Sequence, residues 1–134
     1  MGVSGSPLAS LNSWKELGFS KISGADIDKD LLNNKDWDLF YCDQLNFSEF
    51  SHAMDLRNVY YDFIIDDGLH SINANLITLK STWNYLNSNG TYIIEDVHIN
   101  SLNFWRYFLG IHYPKNSKII ISKSKNCLIE IKKS

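Results

Sequence analysis

"YDFIIDDGLHS", residues 61–71, carries the reading of this chain. An apolar run, Phe63-Ile64-Ile65, stops at two aspartates, a glycine and then a histidine, His70. Burial cannot account for Asp66 and Asp67, so they either cap a turn or do chemistry. Just downstream, Ser71 is placed as an N-cap for "INANLITLKSTWNYL". There Ile72, Leu76, Leu79, Trp83 and Leu86 recur at helical spacing. "NSNG" then breaks the helix, and "TYIIED" reads as the next strand. Strand, helix and strand in that order form a parallel unit.

The same alternation extends outward in both directions. "GVSGSPLAS" is a glycine- and serine-rich loop, followed by the short helix "LNSWKELG", which Gly18 ends. "KISGADID" is a strand finishing in Asp26 and Asp28, and "WDLFYCDQ" is a second finishing in Asp43. "FSEFSHAMDL" and "LNFWRYFLG" read as helices. "SKIIISKSKNCLIEIKK" reads as a hairpin, with a turn at Lys123-Ser124-Lys125-Asn126. The pattern predicts an α/β fold, a mostly parallel Rossmann-like sheet with an antiparallel C-terminal hairpin over about residues 117–132. In such sheets ligands bind beyond the carboxyl ends of the strands. Four strand ends here carry acids: Asp26, Asp43, Asp66-Asp67 and Glu95-Asp96.

Composition bounds the function. The 134 residues are 44% hydrophobic and make one domain's worth of chain, 1–134. With Lys+Arg 13 against Asp+Glu 15, there is no basic excess to neutralise a phosphate backbone, so no nucleic-acid partner is expected. No apolar run nears the roughly 20 residues that span a bilayer, and no signal peptide is visible. Cys42 and Cys127 lie far apart in apolar stretches; buried free thiols and a cytoplasmic location are expected.

The acids divide into two groups. Asp26 could accept ribose hydroxyl hydrogens, and Asp43-Gln44 could meet an adenine amino group; all three are also ordinary turn residues. In the second group, the ends of "YDFIIDD" and "TYIIED" would lie about 5 Å apart as sheet neighbours. Carboxylates that close repel one another. A hard divalent cation would relieve the conflict, whereas capping of a helix N-terminus would explain the acids without one.

"YDFIIDDGLHS…LKSTWNYLNSNGTYIIEDVH" resembles the class I S-adenosylmethionine-dependent methyltransferases. Within them it is similar to the metal-dependent sugar O-methyltransferases of the macrocin and mycinamicin type and their cephalosporin-hydroxylase-like relatives. The family's DDGSH-like and ED(x)H motifs correspond to DDGLH and EDVH here. "SLNSWKELG", "GADID" and "YCDQL" match its earlier segments. The resemblance implies Asp67, Glu95 and Asp96 as ligands of Mg²⁺ or Mn²⁺, and His70 as general base. It implies Asp26 at the ribose, Asp43 and Gln44 near the adenine, and Gly2 and Gly5 beside the methionine part of S-adenosylmethionine. Asp66 joins that expected cofactor-binding set. His70 would take the proton of a sugar or other small-molecule hydroxyl, and the oxygen would attack the sulfonium methyl in line.

The sequence also departs from the family. The central strand ending in "LEIG", which would lie beside "KISGADI" and "YDFIID", is missing ahead of Met1-Gly2. Asn89-Gly90 replaces a Gly-Gly turn, and Leu69 stands where a small polar residue is usual. The chain is then a fragment, a truncation that closes its sheet differently or by association into a homo-oligomer, or an inactive relative. Two other functions stay open: a nucleoside- or sugar-binding module without catalysis, and a metal-dependent hydrolase.

Overall fold

A computed structural model describes residues 8–122 and 126–134. Gly2, Gly5 and the turn residues Lys123, Ser124 and Lys125 lie outside the described residues. The chain divides into two compact units, Met1–Asp43 and Gln44–Ser134.

In the first unit, helix α1 (Ala9–Glu16) ends as its sequence predicts. The Leu17 N–H bonds to Ser13 O, the Gly18 N–H bonds to Lys15 O, and Gly18 takes φ +96°, where glycine carries no steric penalty. Strands β1 (Ser23–Asp26) and β2 (Asp38–Tyr41) pair in parallel, from Ser23↔Asp38 to Asp26↔Tyr41. The Cys42 N–H extends the ladder to Asp26 O at 2.9 Å. Gly24 permits close packing, since a Cβ there would lie 2.7 Å from Leu39 Cδ2.

The second unit begins with helix α2 (Phe47–Arg57). Asn46 Oδ1 accepts from the Glu49 N–H, and Asn46 Nδ2 donates to the Glu49 carboxylate, so each satisfies the other at the helix start. Strand β3 (Tyr61–Asp66) leads to helix α3 (Ile72–Thr82), whose first turn is capped by Ser71 Oγ accepting from the Ala74 N–H. A 3-10 turn (Trp83–Tyr85) leads into strand β4 (Leu86–His98). Lys133 Nζ closes that turn, donating to Trp83 O at 2.9 Å and Leu86 O at 2.6 Å. A further 3-10 turn (Ile99–Ser101), helix α4 (Leu102–His112) and strands β5 (Ser117–Ile121) and β6 (Asn126–Lys132) complete the unit.

The sheet order is β3-β4-β6-β5. β3 and β4 are parallel, while β6 is antiparallel to both β4 and β5. Three strands therefore run one way and β6 alone opposes them, which is the mostly parallel sheet with a C-terminal hairpin that the sequence predicts. Alternation along β4 and β6 sends Tyr92, Ile94, Ile129 and Ile131 inward. They form one buried cluster with Leu79 of α3 and Leu102, Trp105 and Leu109 of α4.

Three expectations change. β1 and β3 do not share a sheet: β1 pairs with β2 and β3 with β4, and no ladder among the described residues joins the two sets. A single parallel sheet would need a strand bonded to both of them at that point. "NSNG" does not end the helix as a free turn, because β4 already begins at Leu86. The irregularity is absorbed instead by a register shift between Tyr61 and Phe63 and by Asn89 at φ +64°. Lastly, Leu79 alone of the apolar stripe is among the buried positions of α3, which are otherwise Ala74, Asn75, Thr78, Ser81 and Thr82.

Candidate functional site

Asp66 accounts for Asn75 and, through Gln44, for Thr78 on the polar face of α3. This last residue of β3 is buried, and both carboxylate oxygens are occupied: Oδ1 accepts from Gln44 Nε2 at 2.7 Å and Oδ2 from Asn75 Nδ2 at 2.9 Å. Burial pushes its pKa above the ordinary carboxylate value, and the Asn75, Gln44 and Gly68 hydrogen bonds oppose that rise. Gln44 Nε2 also donates to Thr78 Oγ1 at 2.8 Å, while Gln44 Oε1 accepts from the Leu69 N–H at 2.8 Å. Both amide hydrogens of Gln44 are thus engaged within the protein. The sequence reading singled out Gln44 and Asp66 but missed Asn75 and Thr78. The available signal was their spacing, one helical turn apart, on a helix that follows a strand ending in acid.

Beyond Asp66 the chain turns sharply outward. Asp67 and His70 are exposed, and His70 adopts φ +52°. On the neighbouring strand the β4–β6 register shifts between Ile94 and Val97, and Asp96 adopts φ +49°. Such a bulge re-aims a side chain out of the alternation of its strand. Left-handed backbone at a residue other than glycine costs of order 1–3 kcal/mol and collects at functional sites. Asn126, the first residue of β6, donates to Asp96 Oδ1 at 2.9 Å and holds the bulge from the other side.

The result is a convergence of donors. Ligand atoms of Asp67, His70 and Asp96 all lie within 4.8 Å of one another, and His70 Nε2 is 4.0 Å from Asp67 Oδ1. Two carboxylates with open access to water fit a hexacoordinate Mg²⁺ or Mn²⁺, and the His70 imidazole stands beside them. Glu95 is half-buried and falls outside that set of donors. Its pKa is raised, first by burial and then by the charges of Asp67 and Asp96, with His70 opposing. The parallel β3–β4 pairing thus brings Asp67, His70 and Asp96 together, with Glu95 near enough to sense them. His98 is used locally, as its Nδ1 accepts from the Asn100 N–H at 3.2 Å.

In the first unit, Asp26 lies exposed at the end of β1, and its Oδ1 accepts from the Asp28 N–H at 2.8 Å in an Asx turn. Asp43 follows β2 by two residues and is half-buried.

No family model and no curated protein sequence matches the chain. Solved structures do, and they show the fold: a Rossmann-like α/β architecture shared with S-adenosylmethionine-dependent methyltransferases. Among these the chain resembles the MycE methyltransferase from the mycinamycin biosynthetic pathway. Against MycE in complex with Mg and SAH, the TM-score is 0.70 at 17% identity, covering 93% of this chain and 40% of that one. Against MycE in complex with Mg, SAH and mycinamycin VI it is again 0.70, at 20% identity, covering 98% and 43%. A SAM-dependent methyltransferase from Anabaena variabilis matches with a TM-score of 0.55 at 10% identity, covering 94% and 73%. The chain spans about two fifths of the length of MycE.

Proposed function

We propose that residues 1–134 act as one domain of an S-adenosylmethionine-dependent, divalent-cation-assisted O-methyltransferase whose acceptor is a sugar or another small hydroxylated molecule. The observation that carries this reading is the mutual approach of Asp67, His70 and Asp96 within 4.8 Å at the ends of two parallel strands. The likeness to MycE, which was solved with Mg and SAH, supports it. In this reading Asp67 and Asp96, with Glu95 beside them, hold Mg²⁺ or Mn²⁺. Asp26 binds the cofactor's ribose, and Gly2, Gly5 and Asp43 line the remainder of the cofactor. Buried free Cys42 and Cys127 suit a reducing compartment such as the cytoplasm.

When bound, the cation supplies positive charge that makes a neighbouring hydroxyl easier to deprotonate, and S-adenosylmethionine supplies the methyl group. His70 would take the hydroxyl proton as the acceptor oxygen bonds to the methyl group, with the thioether sulfur as the leaving group. Asp67, 4.0 Å from His70 Nε2, stabilises the imidazolium that results. The balance closes: the positive charge of the sulfonium, which would become a neutral thioether, would end as the proton on His70 and pass from there to water.

The test is calorimetry of S-adenosylhomocysteine binding with and without Mg²⁺. Nucleoside binding that Mg²⁺ leaves intact or strengthens is expected. Absence of nucleoside binding would overturn the assignment and leave metal-dependent hydrolysis as the better reading.

A further inference from the structure

We infer that Gln44 is the positioning residue that sets the Asp67–His70 turn, and that it does so from inside the protein rather than by touching the adenine. This inference rests on the metal-site reading above for its functional meaning, but not for its geometry. Three hydrogen bonds at 2.7–2.8 Å fix the Gln44 carboxamide in one orientation. Asp66 and Thr78 accept both of its amide hydrogens, which forces Oε1 to face the turn. Oε1 there takes the Leu69 N–H, between Asp67 and His70 in the chain. Gly68 is fitted to this arrangement, because a Cβ at that residue would lie 1.9 Å from Gln44 Oε1. No φ constraint accounts for that glycine, since Gly18 alone among the described glycines takes a positive φ. Asp66 is in turn held by Asn75, so the chain of contacts runs from α3 through Asp66 and Gln44 to the turn. The turn contains a left-handed His70, a conformation that persists only when its surroundings over-determine it. Gln44 supplies that constraint, placing Asp67 and His70 opposite Asp96.

Gln44→Met keeps the side-chain length and removes all three hydrogen bonds. Amide exchange in the metal-free protein should show Leu69 losing its protection while β3 and α3 keep theirs. Mn²⁺ affinity, read by electron paramagnetic resonance titration, should fall by about 10–100-fold, the usual range when a group supporting a ligand is removed. S-adenosylhomocysteine affinity should hold. Leu69 protection unchanged in Gln44→Met overturns the inference, as does unchanged Mn²⁺ affinity in a protein whose site binds Mn²⁺. Loss of nucleoside affinity with Mn²⁺ affinity intact overturns it in favour of an adenine contact. Should Gln44→Met not fold, Gly68→Ala tests the same contact. It should weaken Mn²⁺ binding in the parent and do less harm in a Gln44→Ala background, where the clash is gone; additive effects would overturn the inference. If the parent binds no Mn²⁺ that Asp67→Ala abolishes, the metal-site reading fails, and Leu69 protection alone then decides the role of Gln44.

Discussion

Asn126 donates to Asp96 Oδ1 at 2.9 Å, so a residue thirty positions downstream holds the acid at the β4 bulge. Asn126→Ala removes that support without removing a ligand. It should weaken Mn²⁺ binding by a few-fold to about tenfold, less than loss of Asp67 itself. Parallel Mn²⁺ titrations of Asn126→Ala and Asp67→Ala check the ranking; equal losses would show that Asn126 does more than hold Asp96.

Asp67 and His70 should separate by function. Methyl transfer to a hydroxyl acceptor should require Mg²⁺ or Mn²⁺ and stop in EDTA. Asp67→Ala should lose metal binding and activity together. His70→Ala should retain most of the metal binding and lose about 10²–10⁴-fold in rate, as expected for a missing general base. Full activity in EDTA, or a His70→Ala protein as fast as the parent, contradicts the mechanism.

Asp26 requires two substitutions, because its Oδ1 also caps the Asp28 N–H. Asp26→Ala removes turn and charge, while Asp26→Asn keeps a turn acceptor. If the carboxylate binds ribose hydroxyls, both should weaken S-adenosylhomocysteine by about 1 kcal/mol or more, since a hydrogen bond to a charged acceptor contributes roughly 1.5–3 kcal/mol. Weakening by alanine alone would assign Asp26 to the turn.

Acid stability should run against the usual carboxylate trend at two residues. Asp66 is raised above 3.8, chiefly by burial, and Glu95 above 4.5, by burial and then by Asp67 and Asp96. A folded-state pKa above the unfolded one means that the folded chain binds the proton more tightly. The contribution to stability is then fully present below the unfolded pKa and declines as pH rises through the folded one. Glu95→Gln should therefore gain stability relative to the parent more at pH 7 than at pH 4, in EDTA. Thermal melts across that range, repeated with Mg²⁺, should show the advantage shrinking when the cation is present.

The βαβ unit could be read from sequence because each of its signals is local. Ser71 caps α3 as its position suggests, and apolar runs ending in acid mark β3 and β4. The hairpin of β5 and β6 followed from two β-rich runs. What sequence did not reveal depends on distant partners. Gln44 meets Asp66 and Thr78 across 22 and 34 residues, so its role is invisible until α3 lies against β3. The bulge at Asp96 and the left-handed His70 carry no glycine to announce them. Nothing local to β1 or β3 states that the two strands fall in different sheets, as that depends on what bonds between them.

Lys133 has a chemical consequence of its own. Its ammonium serves the Trp83 and Leu86 carbonyls and lies 5.8 Å from the centre of the Trp83 ring. An amine-directed acylating reagent needs the free, uncharged amine, so it should react slowly there and faster at Lys118, whose side chain is 59% exposed. Acylation of Lys133 would strip the charge and leave two carbonyls short of a donor. Its labelling rate thereby becomes a clock for the opening of the 3-10 turn between α3 and β4, with Trp83 fluorescence reporting the same event from the neighbouring ring.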